Sequence, residues 1–238
     1  MTETISIIIP TYQHASTIAA CLDSVLAQTR AANEIIVVDD GSADSTESIL
    51  VPYLDRVRVI KQPNQGAPIA RNNGFKASMG SLVLFCDADV LMAPTMLAEL
   101  ESALTVNSSA AYAYSSFKWG WKLFTSFPFE DGSRLKKMNF IHTSALIRRQ
   151  AFPLFDPTLK RFQDWDLWLT MLDRGLKGVF VPHVLFQVLE EDRPERMSTW
   201  LPSLMIRFPW RFVGWKPKRV KKYEDAKELI FKKHGLIK

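Results

Sequence analysis

The sequence predicts an α/β fold, with a mostly parallel central sheet and helices on both faces. Two observations predict it. Short β-branched runs alternate with stretches of helical apolar spacing through the first hundred residues, the pattern of parallel strands joined by crossover helices. These runs are also apolar throughout, as in Ile35-Ile36-Val37-Val38, which suits strands covered on both faces. The chain has 238 residues, 47% hydrophobic and 23% charged, a globular composition for one large domain or one domain with an appended piece.

The elements follow in order. Residues 5–10 read as a strand and 15–28 as a helix, then 34–39 and 45–54, 57–62 and 68–78, 82–87 and 94–106 repeat the pair. Residues 111–117 read as another strand, whereas 118–134 are aromatic, irregular and rich in loop residues. A strand is expected at 140–147 and a helix at 164–173, stopped by Gly175. Two short strands are expected at 179–182 and 184–188. Residues 199–238 read as mainly helical, interrupted by Pro202, Pro209 and Pro217. The chain thus divides into 1–110, a second half of the same domain at 111–198, and a helical basic C-terminal tail at 199–238.

The charge is uneven. From Arg207 onward eleven Lys or Arg face three acids, so this end carries +8 of a net +5 and the rest about −3. Basicity therefore concerns the tail, and nucleic acid is not expected as a partner of the body. No apolar run reaches the roughly 18–20 residues that span a bilayer, and no basic segment followed by an apolar stretch opens the chain. Cys21 and Cys86, the two cysteines, are read as buried reduced thiols. A cytoplasmic protein is expected.

Three groups of residues, and one arginine besides, can do chemistry. Asp39-Asp40-Gly41-Ser42 closes the second strand, where open α/β sheets bind ligands; Gly41 permits a tight turn, and Ser42 or Asp44 can cap the next helix. The plainer reading makes both acids turn and cap residues. Asp87-Ala88-Asp89 closes the fourth strand, and two carboxylates two residues apart face one side in extended geometry. Such hard oxygens suit a shared Mg²⁺ or Mn²⁺ bridging a diphosphate; the alternative is a polar strand end. Gln163-Asp164-Trp165-Asp166-Leu167-Trp168 opens the later helix. There the helix dipole is expected to keep Asp164 ionised, as a base must be. Arg71, one turn into the third helix, is placed to meet phosphate or base.

Taken in order, Ser6-Ile-Ile-Ile-Pro-Thr-Tyr12, Val38-Asp-Asp-Gly-Ser42, the 65–74 stretch, Asp87-Ala-Asp89 and Asp164-Trp-Asp-Leu-Trp168 resemble the family-2 glycosyltransferases, which have the nucleotide-sugar-binding GT-A fold. The resemblance runs from residue 5 to about 170. It implies a nucleotide-sugar-binding half at 1–110 and an acceptor-binding half at 111–198. It assigns Pro10, Thr11, Tyr12, Asp39, Asp40, Arg71 and Asp87 to the nucleotide sugar. Asp87 and Asp89 would hold the divalent cation, and Asp164 would be the base of an inverting transfer to a hydroxyl. A UDP-sugar is favoured as donor, and a cell-envelope glycan or lipid-linked saccharide as acceptor. Two departures stand out: Gln163 replaces a frequent Glu, and the stretch 186–198 lacks the family's Tyr-Arg-x-His pattern, whose His can ligate the metal. Glu191, Asp192 or water would then complete the metal shell.

In the tail, Phe208, Trp210, Phe212 and Trp215 interleave with Arg207, Arg211, Lys216, Lys218 and Arg219, which suits peripheral contact of 207–238 with an anionic membrane. The alternative is a helical subdomain packed on the body. Rival functions fit less well. A nucleotidyltransferase of sugar phosphates would carry a Gly-rich, basic phosphate loop after the first strand, where Pro10-Thr-Tyr-Gln-His14 stands. A dinucleotide enzyme would carry G-x-G-x-x-G there. A non-catalytic sugar-nucleotide-binding protein is suggested by Gln163 and the missing His.

Overall fold

The strands that end in Asp39 and lead into Asp87 belong to a sheet whose first half is parallel throughout. The structure, a computed structural model, describes residues 3–190 and 217–236. At the centre of the first half runs β1 (Ile5–Thr11), flanked by β2 (Glu34–Asp39) and β4 (Leu82–Phe85), with β3 (Arg58–Lys61) beyond β2. All three pairings are parallel. Helices α1 (Ile18–Leu26), α2 (Thr46–Leu50) and α3 (Ala67–Ala77) make the crossovers.

Every β1 residue is buried, and its alternate side chains feed opposite cores. Ile5, Ile7 and Ile9 pack with Leu22 of α1 and with Leu97 and Leu100 of α4 (Met96–Val106). Ile8 packs on the other side with Ala70 of α3 and with Trp165 and Trp168 of α5 (Gln163–Asp173). The expected helices on both faces are therefore present, and the two-sided burial explains why these strands are apolar at every position.

Beyond β4 the sheet becomes mixed. β8 (Leu146–Arg148) runs antiparallel to β4, and β6 (Tyr112–Trp119) antiparallel to β8. β9 (Gly178–Val188) lies parallel to β6, and β5 (Val90–Met92) closes the far edge antiparallel to β9. β7 (Lys122–Phe124) folds back on β6. Three expectations are corrected. The strand expected at 140–147 reduces to β8, because 140–145 is a buried loop whose carbonyls are taken by side chains: Ser126 Oγ donates to Phe140 and Trp168 Nε1 to Ile141, at 2.7 and 2.9 Å. The two strands expected around Pro182-His183 are one, with a register shift opposite Ser115 and Ser116 that passes the proline. β5, three residues long, was not expected.

Of the tail, α6 (Lys218–Lys233) is helical as expected. It packs on the body through Ile230, which joins the core around Trp168, and through Phe231 and Tyr223, whose rings lie 5.4 and 5.2 Å from Trp165 and Phe162. Residues 207–216, which carry most of the expected membrane-facing aromatics, lie outside the described residues. No helix among the described residues is long and apolar enough to cross a membrane.

Candidate active site

β1 ends where β4 leaves it. The Cys86 N–H donates to the Ile8 carbonyl at 2.9 Å, the last bond between the two strands. Pro10 has the same parity as Ile8, so its missing N–H faces the side β4 has vacated, and the central strand tolerates it. Thr11 follows, buried, with its Oγ1 lacking a partner among the described residues; Tyr12 is half-buried. Beside them, Asp39 accepts the Ser42 N–H at 2.9 Å. Asp40 is 3% exposed and accepts from Gln62 Nε2, the Gln65 N–H and the Gly66 N–H at 2.7, 2.8 and 2.7 Å. Its carboxylate is thus engaged in holding the loop that enters α3. Ser42 Oγ accepts from the Gln13 N–H, and Asp44 accepts the Thr46 N–H at the start of α2.

α3 sits close on the sheet because Gly74 has no side chain: a Cβ there would lie 2.4 Å from Ile8 Cγ2. One turn earlier the helix presents Arg71, 5% exposed. Its Nη2 donates to Asp87 at 2.5 Å, its Nη1 donates to Gln163 at 2.9 Å, and its Nε lacks a partner among the described residues. One guanidinium thereby ties the strand-end carboxylates to the start of α5. Gln163 uses both ends of its amide, since its Nε2 donates to the Leu159 carbonyl at 3.0 Å.

Asp87 and Asp89 are part-exposed, whereas Ala88 between them is buried in the core; the Val90 N–H donates to the Asp87 carbonyl at 3.0 Å, so the pair sits in a turn and not in the extended geometry expected. Burial works against the Asp87 charge, but the Arg71 guanidinium outweighs it and holds the carboxyl below its usual value. The Leu189 N–H donates to the Asp89 carbonyl at 2.8 Å, which anchors the turn to the end of β9. Among the described residues no three His, Cys, Asp or Glu side chains gather as a metal cluster. Two part-exposed hard carboxylates in one turn nevertheless fit Mg²⁺ or Mn²⁺, because such ions are commonly held by one or two carboxylates plus substrate phosphates and water.

The chain turns into α5 at Phe162, left-handed at φ 57°. Asp164 follows in the first turn, accepting from the Trp165 N–H at 2.9 Å and from Asn139 Nδ2 at 2.6 Å. The helix end was expected to keep its pKa low. Instead, burial raises it above the usual carboxylate value, against the pull of those two hydrogen bonds. Asp166 points elsewhere, toward α6, where His234 and Lys233 hold it.

His142 completes the group. Its ring packs 5.0 Å from the rings of both Phe117 and Phe186, and its Nδ1 accepts the Ser144 N–H at 3.1 Å. Burial lowers its pKa, opposed by Asp87 and Asp164. Sequence reasoning missed Asn139, for which no motif signals, and favoured no site role for His142. A cavity of about 750 Å³ lined by Glu3, Arg30, Glu101 and Arg148 lies at the other end of β1 and β4 and holds none of these residues.

The ordered strand ends carry the motifs of one sequence family, and residues 6–156 match the profile described as Glycosyl transferase family 2. The chain belongs to glycosyltransferase family 2. Among family-2 relatives it is 40% identical over 98 residues to the uncharacterized glycosyltransferase YibD of Escherichia coli K12, a match covering 40% of this chain and 28% of YibD. It is 31% identical over 176 residues to the PGL/p-HBAD biosynthesis glycosyltransferase of Mycobacterium bovis BCG, covering 68% and 66%. The chain thus spans less than a third of YibD. Among solved structures, Staphylococcus aureus TarS 1–349 in complex with UDP-GlcNAc superposes with a TM-score of 0.69 at 18% identity, over 85% of this chain and 64% of that one. The Pyrobaculum calidifontis mannosyltransferase PcManGT, in complex with GDP-Man and Mn²⁺, gives 0.65 at 19% identity, over 97% and 70%. At these identities the likeness is one of fold, and the expected GT-A-like architecture is borne out.

Proposed function

We propose that this chain transfers a sugar, with inversion, from a nucleoside-diphosphate sugar to a hydroxyl acceptor, with Asp164 as base. The observation that carries the proposal is the Arg71 bridge, which joins Asp87 at 2.5 Å to Gln163, the neighbour of Asp164, at 2.9 Å. Groups suited to a diphosphate and a group suited to a proton thereby belong to one site. In the transfer, the acceptor oxygen bonds to the anomeric carbon as the bond to the phosphate oxygen breaks, and the acceptor proton passes to Asp164. A raised pKa makes that carboxylate the better proton acceptor. Its hydrogen bonds from Asn139 and the Trp165 N–H aim it while it waits.

On the donor side, Asp39 and the ends of β1 (Pro10, Thr11, Tyr12) line the nucleoside pocket. Asp40 acts through the 62–66 loop that it holds. Arg71 faces the diphosphate. Asp87 and Asp89 would hold Mg²⁺ or Mn²⁺, which when bound would offset the charge gathering on the leaving diphosphate. That PcManGT was crystallised with Mn²⁺ supports this assignment. A UDP-sugar is the favoured donor, supported by the UDP-GlcNAc complex of TarS. A cell-envelope glycan or lipid-linked saccharide is the favoured acceptor, reached from the cytoplasm with peripheral membrane contact through 207–238.

The test is a screen of UDP-, GDP- and dTDP-sugars for Mn²⁺-dependent thermal stabilisation, followed by Asp164→Asn with the donor that binds. The variant should bind that donor as the parent does and release nucleoside diphosphate about 10²–10⁴-fold more slowly. Stabilisation by no donor, with or without metal, would count against the whole assignment, and an intact rate in Asp164→Asn against the base.

A further inference from the structure

His142 comes from the irregular half of the sequence, outside every motif that carries the family resemblance, yet the charged groups acting on its ring are Asp87, Asp164 and Arg71. These are the groups that face diphosphate and acceptor. The ring is fixed by two independent contacts. Phe117 and Phe186, themselves stacked at 5.0 Å with planes 2° apart, each lie 5.0 Å from it. The Ser144 backbone N–H meets Nδ1 at 3.1 Å.

That second contact decides the chemistry of the ring. A backbone N–H can only donate, so Nδ1 must accept and carries no proton. A neutral imidazole has one N–H, which is then on Nε2. A nitrogen that carries its proton has no lone pair for a cation, so this tautomer excludes metal ligation at Nε2. It leaves instead a donor on a clamped ring, with no protein partner for Nε2 among the described residues. We propose that His142 is a neutral hydrogen-bond donor through Nε2–H to an oxygen of the nucleotide sugar, and that it is not a ligand of the cation. The oxygen belongs either to the diphosphate or to a hydroxyl of the transferred sugar, the two groups that the functional reading puts between Asp87 and Asp164. The inference rests on the nucleotide-sugar reading above. It adds a contact made by the acceptor half to the donor.

The full chain is tested in two variants. His142→Phe keeps the ring packing and removes both nitrogens, whereas His142→Gln keeps an N–H donor at similar reach. The wild type is first measured for Mn²⁺-dependent thermal stabilisation by UDP, GDP and dTDP, and by UDP-GlcNAc and GDP-Man. For the donor that binds, release of nucleoside diphosphate to water is then followed. We expect His142→Phe to melt as the wild type does and to release about 10²–10³-fold more slowly, the usual cost of losing one positioned donor. His142→Gln should recover part of that loss, and the Mn²⁺ concentration giving half-maximal rate should not change in either variant. A parallel loss of affinity for the free nucleoside diphosphate assigns the contact to the diphosphate. A loss confined to the nucleotide sugar assigns it to a sugar hydroxyl.

A wild-type rate in His142→Phe overturns the inference, as does a raised Mn²⁺ requirement, which would make the ring a ligand after all. If His142→Phe does not fold, His142→Gln decides, and a Gln variant that folds but is fully inactive also counts against the donor role. Failure of the wild type to bind any of these nucleotides is seen before the variants are made. It removes the functional reading, and the inference with it.

Discussion

The junction of α6 with α5 gives a prediction with a sign. His234 is 5% exposed and lies between Asp166, 2.9 Å from Nε2, and Asp173, 2.7 Å from Nδ1. Both ring nitrogens therefore face carboxylates, which only the imidazolium can satisfy by donating twice. Burial lowers its pKa, but the hydrogen bonds it donates to Asp166 and Asp173 outweigh that and raise it above 6.5. Lys233 shares Asp166 at 2.8 Å and reaches Asp156 at 2.6 Å, and these are the charged groups facing the imidazole from α5, α6 and the 156 loop. The Asp173 side chain is half exposed, so that contact adds little. The Asp166 contact is buried and is worth about 1.5–3 kcal/mol as a charge-assisted bond. It stays below the roughly 3–5 kcal/mol of a fully orphaned buried charge, because Lys233 remains.

His234→Ala should therefore cost about 2 kcal/mol near pH 6, or about 4–8 °C in Tm. A group whose folded pKa is raised contributes fully below its unfolded pKa and loses that contribution as pH rises through the folded one. The difference between parent and variant should accordingly shrink from pH 6 to pH 9. Urea denaturation read by tryptophan fluorescence suits the measurement, since Trp165 lies 5.4 Å from Phe231 of α6. A difference that is constant or grows with pH would refute the charged state assigned to His234.

Further predictions concern packing and thiols. Gly74→Ala puts a methyl 2.4 Å from Ile8 Cγ2 and 3.0 Å from Val38 Cγ2; overpacking should outweigh the gain in helix propensity and cost about 1–3 kcal/mol by urea denaturation. Gln163→Glu keeps the acceptor for Arg71 but turns a carboxylate oxygen toward the Leu159 carbonyl, which now accepts from Nε2 at 3.0 Å. A loss of about 1–2 kcal/mol is expected, and a stabilised variant would contradict the amide's double use. Cys21 and Cys86 are buried with sulfurs 3.8 Å apart, and the hydrogen bond between the two thiols, with burial, raises the Cys86 thiol pKa. Neither thiol should react with Ellman's reagent until the protein unfolds, when both should.

The first half was legible because its strands are covered on both faces: continuous apolar runs such as 35–38 suit such strands, and the helices between them fill one crossover each. The second half was less legible because its order is held by distant partners. Val90–Met92 is a strand through its pairing with β9, and nothing in three residues announces that. Residues 140–145 are apolar enough for a strand, but Ser126 and Trp168 claim their carbonyls from elsewhere in the chain. At the site, the strand-end carboxylates could be placed by motif and spacing. The raised pKa of Asp164 could not, since it depends on burial by residues far away in sequence. The same holds for Asn139 and for the tautomer of His142.

The position of β5 has a consequence for how the chain is made. On leaving β4 the polypeptide crosses to the far edge of the sheet, and the Asp87–Asp89 turn lies on that crossing. The turn is fastened by the Leu189 N–H on the Asp89 carbonyl and by β5 against β9, partners about a hundred residues downstream. During synthesis β1 to β4 have their parallel partners as soon as Phe85 has emerged, and domains generally consolidate from the amino end. The far side of the carboxylate turn must wait for β9. A nascent or truncated chain ending before Gly178 would therefore contain the parallel core with its turn held from one side only, by Arg71 on Asp87 and by the Met92 N–H on Ser24 Oγ, and its far side would be fastened last.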